Sequence, residues 1–501
     1  MTDLNCDVLI VGAGNAALCA ALAAREHGAK VLVLERAPFD ARGGNSRYTA
    51  GAMRVVYEGM EDIAKLVPDL SDAEKANTEF GTYTREAFYD DMARVTRYRA
   101  VPELAELLVD NCLDTLLWMR TKGVRFLPAY GNQAFKINGK FRFTDGLVFE
   151  AVGGGPGLVD CLLATAAREE IKVLYGTRAV SLLHDEQGVR GIVAQQKRRR
   201  FNIEAKAVVL ACGGYESNAE WRTRYLGPGW DLAKVRGTRF NTGDGIRMAL
   251  DIGAAPFGHW SGCHSVSWDL NAPEFGDLEV AEKFQKHSYP LGIVVNARGE
   301  RFVDEGEDLR NFTYSQYGRY LLEQPGQFGW QVFDSKVTHL LSPDYRIRQM
   351  TRVRADTLEG LAAQLEGVDP KSFLETVAAY NRSIRLDVPF DPSVRDGRCT
   401  VGLPLPKSNW ANPIDRPPFE AYAVTCGITF TFGGLRIDTS GQVIDMEGQN
   451  IPGLYAAGEL VGGIFYFNYP SGSGLTSGAV FGRLAGNSAG KAVNFPRRAG
   501  A

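Results

Sequence analysis

The sequence predicts an α/β fold: one sheet domain built from both ends of the chain, with an α+β cap inserted between them. Three observations predict it. First, an apolar run at 8–11 ends in the turn Gly12-Ala13-Gly14-Asn15-Ala16-Ala17, and a second run at 31–34 ends in Glu35. Second, the far end of the chain repeats the pattern. Residues 451–457 lead into Gly458-Glu459, and Gly472-Ser473-Gly474-Leu475 opens a helical run through Ala489. Third, the character changes between. Residues from about 265 to 415 mix strand and helix periodicities with many aromatics, and Pro404, Pro406, Pro413, Pro417 and Pro418 mark a linker back. The expected division is 1–264 plus 416–501 for the sheet domain and 265–415 for the cap.

The opening strand, Gly-rich turn, helix and acid-tipped strand form a dinucleotide-binding unit. Gly12 lets the chain turn tightly, and Gly14 lets the backbone approach a pyrophosphate at the helix N-terminus. Ala17 is small enough for helix and strand to pack closely. Glu35 is placed to accept hydrogen bonds from a ribose. A short Gly turn also occurs at ordinary helix starts. The strand before it, the helical run 17–27 after it and the acid about 20 residues on select the nucleotide reading. Gly43-Gly44-Asn45-Ser46 follows. Residues 58–125 read as helices, and Gly153-Gly154-Gly155-Pro156-Gly157 opens another at 158–168. Strand patterns at 172–175, 179–184, 191–196 and 201–205 precede a buried strand that stops on Ala211-Cys212-Gly213-Gly214. Asn241-Thr242-Gly243-Asp244-Gly245 opens a further helix.

The bulk properties exclude other classes. The 501 residues suffice for two or three domains. A net charge of −3 makes no electrostatic case for nucleic acid or an anionic membrane. The run Lys197-Arg198-Arg199-Arg200 falls where a hairpin tip is expected. None of the eight cysteines forms a CxxC pair, so no haem, iron–sulfur or zinc motif is written locally and no metal is expected. The cysteines suit reduced thiols. No signal peptide precedes the first strand, and no apolar run reaches membrane-spanning length, so a cytoplasmic protein without a membrane span is expected.

Together these segments resemble the flavoprotein family of fumarate reductases, succinate dehydrogenase flavoprotein subunits and 3-ketosteroid dehydrogenases. The resemblance rests on Gly12-x-Gly14 with Glu35, Gly43-Gly44-Asn45-Ser46, Ala211-Cys212-Gly213-Gly214, Val295-Asn296-x-x-Gly299-x-Arg301-Phe302-Val303 and Gly453-Leu454-Tyr455-Ala456-Ala457-Gly458-Glu459. It covers nearly the whole chain. The stretches 14–22 and 42–46 look most like the tricarballylate dehydrogenases. The resemblance implies a Rossmann-like FAD-binding domain of the glutathione-reductase type. It implies that Gly12, Gly14, Asn15 and Ala16 meet the pyrophosphate, and that Glu35 and Arg36 lie at the adenosine. Gly44, Asn45, Ser46 and Gly51 lie at the pyrophosphate and flavin. Val180 offers backbone atoms to the adenine, Ala211 and Gly213 line the site, and Asp244 is an acidic FAD contact. Gly458 and Glu459 meet the ribityl chain. Ser473, Gly474 and Leu475 start a helix at the flavin N1/O2 edge, where a helix N-terminus stabilises the anionic reduced ring. Residues 43–55 contain no His for covalent attachment, so FAD is expected to be non-covalent.

The implied reaction dehydrogenates or reduces a C–C bond next to a carboxylate or carbonyl, with hydride transfer to flavin N5. Arg310 occupies the position of the family's acid/base. Arg is a poor base by its reference pKa, so it requires a relay. The alternative is an ordinary loop pairing with Asp304, Glu305, Glu307 or Asp308. His264 resembles a His that contacts a substrate carboxylate, and His259 and His287 are weaker candidates. Two carboxylate-binding groups are exchanged: the family's His pair is Thr429-Phe430 here, and its carboxylate-clamping Arg is Tyr469. Its Thr-Glu-x-x-Arg relay is also missing; Lys283, Lys286 and His287 lie in that stretch. Tyr469, in the aromatic run 464–470, is then a candidate acid or base. Tyr314, Tyr317 and Tyr320 are expected to pack the cap. Arg47, Arg54, Arg236, Arg239 and Arg310 are available to offset substrate charge. Tricarballylate oxidation is the nearest named case. The alternatives are a ketosteroid-dehydrogenase-like desaturase of a less polar carbonyl compound and a flavin electron-transfer or oxygenase partner. Electrons must leave through a partner protein, a quinone or O2.

Overall fold

The computed structural model describes residues 4–143 and 146–494. The strands that carry the first sheet are β1 (Leu4–Val11), β2 (Val31–Leu34), β3 (Lys172–Leu174), β4 (Thr177–Asp185), β5 (Gly188–Gln196) and β6 (Arg199–Leu210). A second sheet uses β7 (Lys234–Val235), β8 (Pro256–Asp269), β9 (Ile293–Val295), β10 (Phe328–Phe333), β11 (Arg352–Ala355) and β12 (Phe419–Leu435). The chain then returns with β13 (Gln442–Ile444) and β14 (Asn450–Ala456) to the first sheet. Its order is β4-β5-β6-β1-β2-β3, with β14 added in parallel to the end of β6. β1 is parallel to both neighbours, Val8 lying opposite Val31 and Ala207. Val8, Leu9 and Ile10 have no exposure. That is why this strand reads as a continuous apolar run: helices cover both faces of a parallel sheet.

The helices that matter most to the site are α1 (Asn15–Glu26), α2 (Gly154–Arg168), α3 (Asp244–Leu250) and α4 (Ser473–Asn494). α1 and α4 lie backbone against backbone. A Cβ on Gly482 would stand 2.3 Å from the Ala16 carbonyl oxygen, and one on Gly486 would stand 2.2 Å from that of Ala20. Gly478 and Gly490 face Ala16 and Ala24 in the same row. A four-residue step keeps these glycines on one helix face.

β4, β5 and β6 form an antiparallel meander, and Lys197 and Arg198 are the hairpin tip between β5 and β6. The second sheet is organised on β12, which pairs with β7, β8, β10 and β11. The expected cap boundary at 264/265 falls inside β8, at one of two irregularities in its pairing with β12, where His264 lies opposite Phe430 and Ser265 opposite Ile428. The outer cap holds its own core, where Phe373, Val377 and Tyr380 pack with Trp330, Ala421 and Phe419. Among the described residues no helix is long and apolar enough to cross a membrane.

Candidate active site and cofactor cradle

The C-terminal ends of β1, β2, β6 and β14 converge. They deliver Gly12, Glu35, Ala211 and Gly458 to the wall of one elongated cavity, the place where open α/β sheets bind ligands. Gly12 has φ +113°, and a Cβ there would lie 2.3 Å from the Ala211 carbonyl oxygen. No side chain fits at that crossing. Gly14, the N-cap of α1, has no side chain to fill this end, and Gly14, Asn15 and Ala16 line the cavity. The Asn15 N–H donates to Ser46 Oγ at 3.0 Å, and Asn15 Nδ2 donates to the Leu475 carbonyl at 2.8 Å. Asn15 thus ties the start of α1 to the start of α4. Two helix N-termini with their partial positive charge open on one cavity.

At the β2 end, buried Glu35 accepts the Ala37 N–H at 2.8 Å; burial pushes its pKa up, while backbone N–H groups around it pull it down. Asp244 is held by Arg36 at 2.9 Å and by both nitrogens of the Arg178 fork at 2.7 and 2.6 Å. Its carboxylate therefore fixes two cations at the cavity mouth. The Val180 carbonyl accepts from Arg247 at 3.4 Å, and its neighbour Ala179 lines the cavity. Gly51, at φ +74°, would press a Cβ 2.8 Å from Gly154, so it seats the cavity loop on the start of α2.

Further in, Asn45 is a hub. Its Nδ2 donates to Glu216 at 2.6 Å and to the Thr429 carbonyl at 2.7 Å, and its Oδ1 accepts the Thr238 N–H at 2.9 Å. Gly213 leaves room for Asn241, whose Nδ2 donates to Glu216 at 2.7 Å and Glu459 at 3.5 Å. Glu459 also accepts the Thr431 N–H at 2.9 Å. Burial, and then the charge of Glu459, push the Glu216 pKa well above the carboxylate range, so this pair retains a proton. The sequence reading missed Glu216; a Glu two residues beyond the strand-ending Gly-Gly was the available signal. Gly44, Ser46, Gly474 and Leu475 line the wall, whereas Ser473 is fully buried and donates Oγ to the Pro470 carbonyl at 2.5 Å. The glycine crossings, the two open helix starts and the polar hub along one elongated cavity fit FAD.

The same cavity is lined by Arg236, Gln285, His287, Arg310, Tyr314, Phe430 and Tyr469. Arg310 begins a short 3-10 turn, Arg310–Phe312. The loop before it is fastened by Arg301 to fully buried Glu305 at 2.5 Å, and Glu305 accepts the Val294 N–H at 2.8 Å. Asp308 pairs with Arg94 at 2.7 Å, and Asp304 accepts from Ser408. His287 Nε2 meets Gln285 Oε1 at 2.9 Å, while Gln285 Nε2 donates to Asp344 at 3.1 Å. That orientation puts the imidazole proton on Nε2. His287 Nδ1, a lone pair, has no partner.

His264 lies one layer behind. It is fully buried, stacks on Phe430 at 5.2 Å and meets Tyr314 and Tyr469 edge-on at 5.1 and 5.0 Å; neither ring nitrogen has a hydrogen-bond partner. Burial, aided by Arg236, holds its pKa well below the usual histidine value, and burial does the same to His287, aided by Arg310 and Arg236. Tyr314 is not simple cap packing: its hydroxyl hydrogen-bonds that of Tyr469, and both line the cavity. The short turn after Arg310 swings it inward. Tyr317 does pack, stacking on Tyr289 at 3.6 Å. His259 instead accepts the Phe467 N–H at 3.0 Å.

A family model described as "FAD binding domain" matches residues 7–475. A probable fumarate reductase of Shewanella frigidimarina (strain NCIMB 400) is 29% identical over 97% of this chain and 74% of its own. The 3-oxosteroid 1-dehydrogenase of Mycobacterium tuberculosis is 25% identical over 97% of this chain and 98% of its own. The solved open conformation of a flavocytochrome c3 fumarate reductase superposes with a TM-score of 0.73 at 27% identity, over 98% of this chain and 79% of that one. On this family match over residues 7–475, and with these relatives, the chain belongs to the FAD binding domain family and is an FAD-dependent reductase or dehydrogenase.

Proposed function

We propose that this protein adds or removes hydrogen across a C–C bond next to a carboxylate, with tricarballylate oxidation as the nearest case. The observation that carries the reading is that Arg310 lines the same cavity as Gly474 and Leu475, so a guanidinium stands at the end of the cofactor cradle. FAD, when bound, supplies the two-electron redox chemistry. Arg310 binds or protonates the substrate at its α-carbon side. Its reference pKa is far above neutrality, so its charge offsets a carboxylate more readily than it takes a proton. His287 lines the same cavity, its Nδ1 has no hydrogen-bond partner, and it is the neutral group that can take the proton. His264 positions Tyr314 and Tyr469 from behind. The relatives named as fumarate reductase and 3-oxosteroid dehydrogenase support a C–C bond as the reacting unit. The eight cysteines, all free, go with a cytoplasmic location, and the acceptor is a partner protein, a quinone or O2.

The hydrogen-bonded phenols of Tyr314 and Tyr469, walled by Phe430 and Phe465, favour a second reading: desaturation of a less polar carbonyl compound. An anaerobic screen that follows flavin absorbance separates the two. Tricarballylate is expected to bleach the oxidised holoenzyme, and Arg310→Lys to slow that bleaching at least about 100-fold. Bleaching by an apolar enone precursor alone moves the assignment to the desaturase. Reduction only through a partner protein moves it to an electron carrier. Full-speed bleaching of the Arg310→Lys variant ends the Arg310 role.

A further inference from the structure

Arg236 is a buried cation to which the reading above gives no task. It follows β7, and its N–H donates to the Ile428 carbonyl at 2.8 Å, so the second sheet fixes its backbone. The residue is 8% exposed, and its Nε has no hydrogen-bond partner. Among the described residues no carboxylate oxygen lies within 4 Å of it. It lines the cavity with Arg310 and His287. Its charge is felt by His264, His287 and Tyr469, and also by the carboxyls of Glu282 and Asp344, neither of which makes an ion pair with it. Arg239, three residues on, differs: it lies over the Phe275 ring at 5.1 Å.

A desolvated guanidinium demands an anion, and its planar fork matches a carboxylate. Among the described residues the carboxyls of Glu282 and Asp344 feel that charge from beyond ion-pair distance, which leaves the fork unmatched. Both imidazoles are neutral, and the Tyr469 phenol is occupied with Tyr314. Arg236 and Arg310 both bring positive charge to this cavity, and Lys286 and Arg54 are felt by His287 and Tyr469 beside them.

We propose that Arg236 binds a second carboxylate of the substrate, so that the site selects di- and tricarboxylates over monocarboxylates and uncharged carbonyl compounds. This rests on the reading that a carboxylate is handled at Arg310. The test uses purified holoenzyme with oxidised flavin and three probes: citrate, malonate and acetate. Binding is read from the perturbed flavin spectrum, with bound-flavin stoichiometry as the folding control. Arg236→Gln is expected to weaken citrate and malonate about 10- to 100-fold and acetate less than about threefold. Arg236→Lys, which keeps the charge and loses the fork, is expected to fall between. Equal weakening of all three anions, or none, overturns the Arg236 assignment alone. A wild-type protein that ignores every anion yet binds an apolar ketone overturns the carboxylate reading as well.

Discussion

At the scale of the residue, His264 shows how far burial can remove a familiar group from its ordinary chemistry. Its ring has two polar atoms, no partner for either, and aromatic rings on three sides. Charging it would place a cation there beside Arg236, so it stays neutral in the folded chain. The sign of the linkage follows. The folded pKa lies below the unfolded value of about 6.5, so below that pH the unfolded chain binds the extra proton. Stability therefore falls as pH drops through about 6.5, by roughly 1.4 kcal/mol per pH unit from this one ring. His264→Phe removes the titration and keeps an aromatic ring on Phe430. Its melting temperature is expected to gain on wild type as pH is lowered from 7.5 to 5.5; a constant difference between the two proteins would refute this. The contrast with Arg236 shows where residue-level reading stops. Lys234-Val235-Arg236-Gly237-Thr238-Arg239 offers three cations with nothing local to rank them. Lys234 donates to the Leu270 carbonyl at 2.6 Å, Arg239 covers Phe275, and only the packing of β7 on β12 sends Arg236 inward.

At the scale of the element, the pair α1 and α4 decides whether the cradle exists. The two helix starts come together because the glycines at 478, 482, 486 and 490 let α4 lie close against Ala16, Ala20 and Ala24 of α1. A methyl at Gly482 meets the Ala16 backbone, which cannot swing aside as a side chain could. Gly482→Ala is thus expected to push the helices apart, destabilise the protein by about 1–3 kcal/mol and weaken flavin binding with it. Gly131, where a Cβ meets nothing within 4 Å, is the control, and Gly131→Ala is expected to change stability by less than about 0.5 kcal/mol. Thermal melts and flavin stoichiometry of the two variants check this; a Gly482→Ala protein as stable and as yellow as wild type would show that the helices yield. The helix itself was readable from the pattern after Gly474. Its glycine row, Gly478-Gly482-Gly486-Gly490 against Ala16-Ala20-Ala24, was also written in the chain. It means something only once α1 is known to be its partner.

At the scale of the molecule, residues from both ends of the chain meet at one cavity. β14 pairs with β6 at Val208–Leu454, Val209–Tyr455 and Leu210–Ala456, which closes the first sheet. The sheet domain was legible because β1, β2, β6 and β14 lead into Gly12, Glu35, Gly213 and Gly458, the glycines and the acid that a nucleotide cradle uses. The cap was less so. β8 and β12 are long strands paired from Pro256–Leu435 to Asp269–Val424, and the irregularity between His264 and Ser265 is a feature of their pairing that no local sequence signal announces. This architecture makes the cofactor a fastening between distant segments: Gly12, Asn45, Thr429, Glu459 and Leu475 all line its place. A ligand bound by the folded state alone stabilises that state by mass action, about 2.7 kcal/mol at one hundred times its dissociation constant. Stripping the flavin is therefore expected to lower the melting temperature, and added FAD to restore it in proportion to the logarithm of its concentration. The same preparation tests the attachment. With no histidine from 43 to 55, acid precipitation should leave a yellow supernatant and a colourless pellet. Colour that stays with the pellet would mean a covalent bond from another residue, and the melting temperature of such a protein could not follow free FAD.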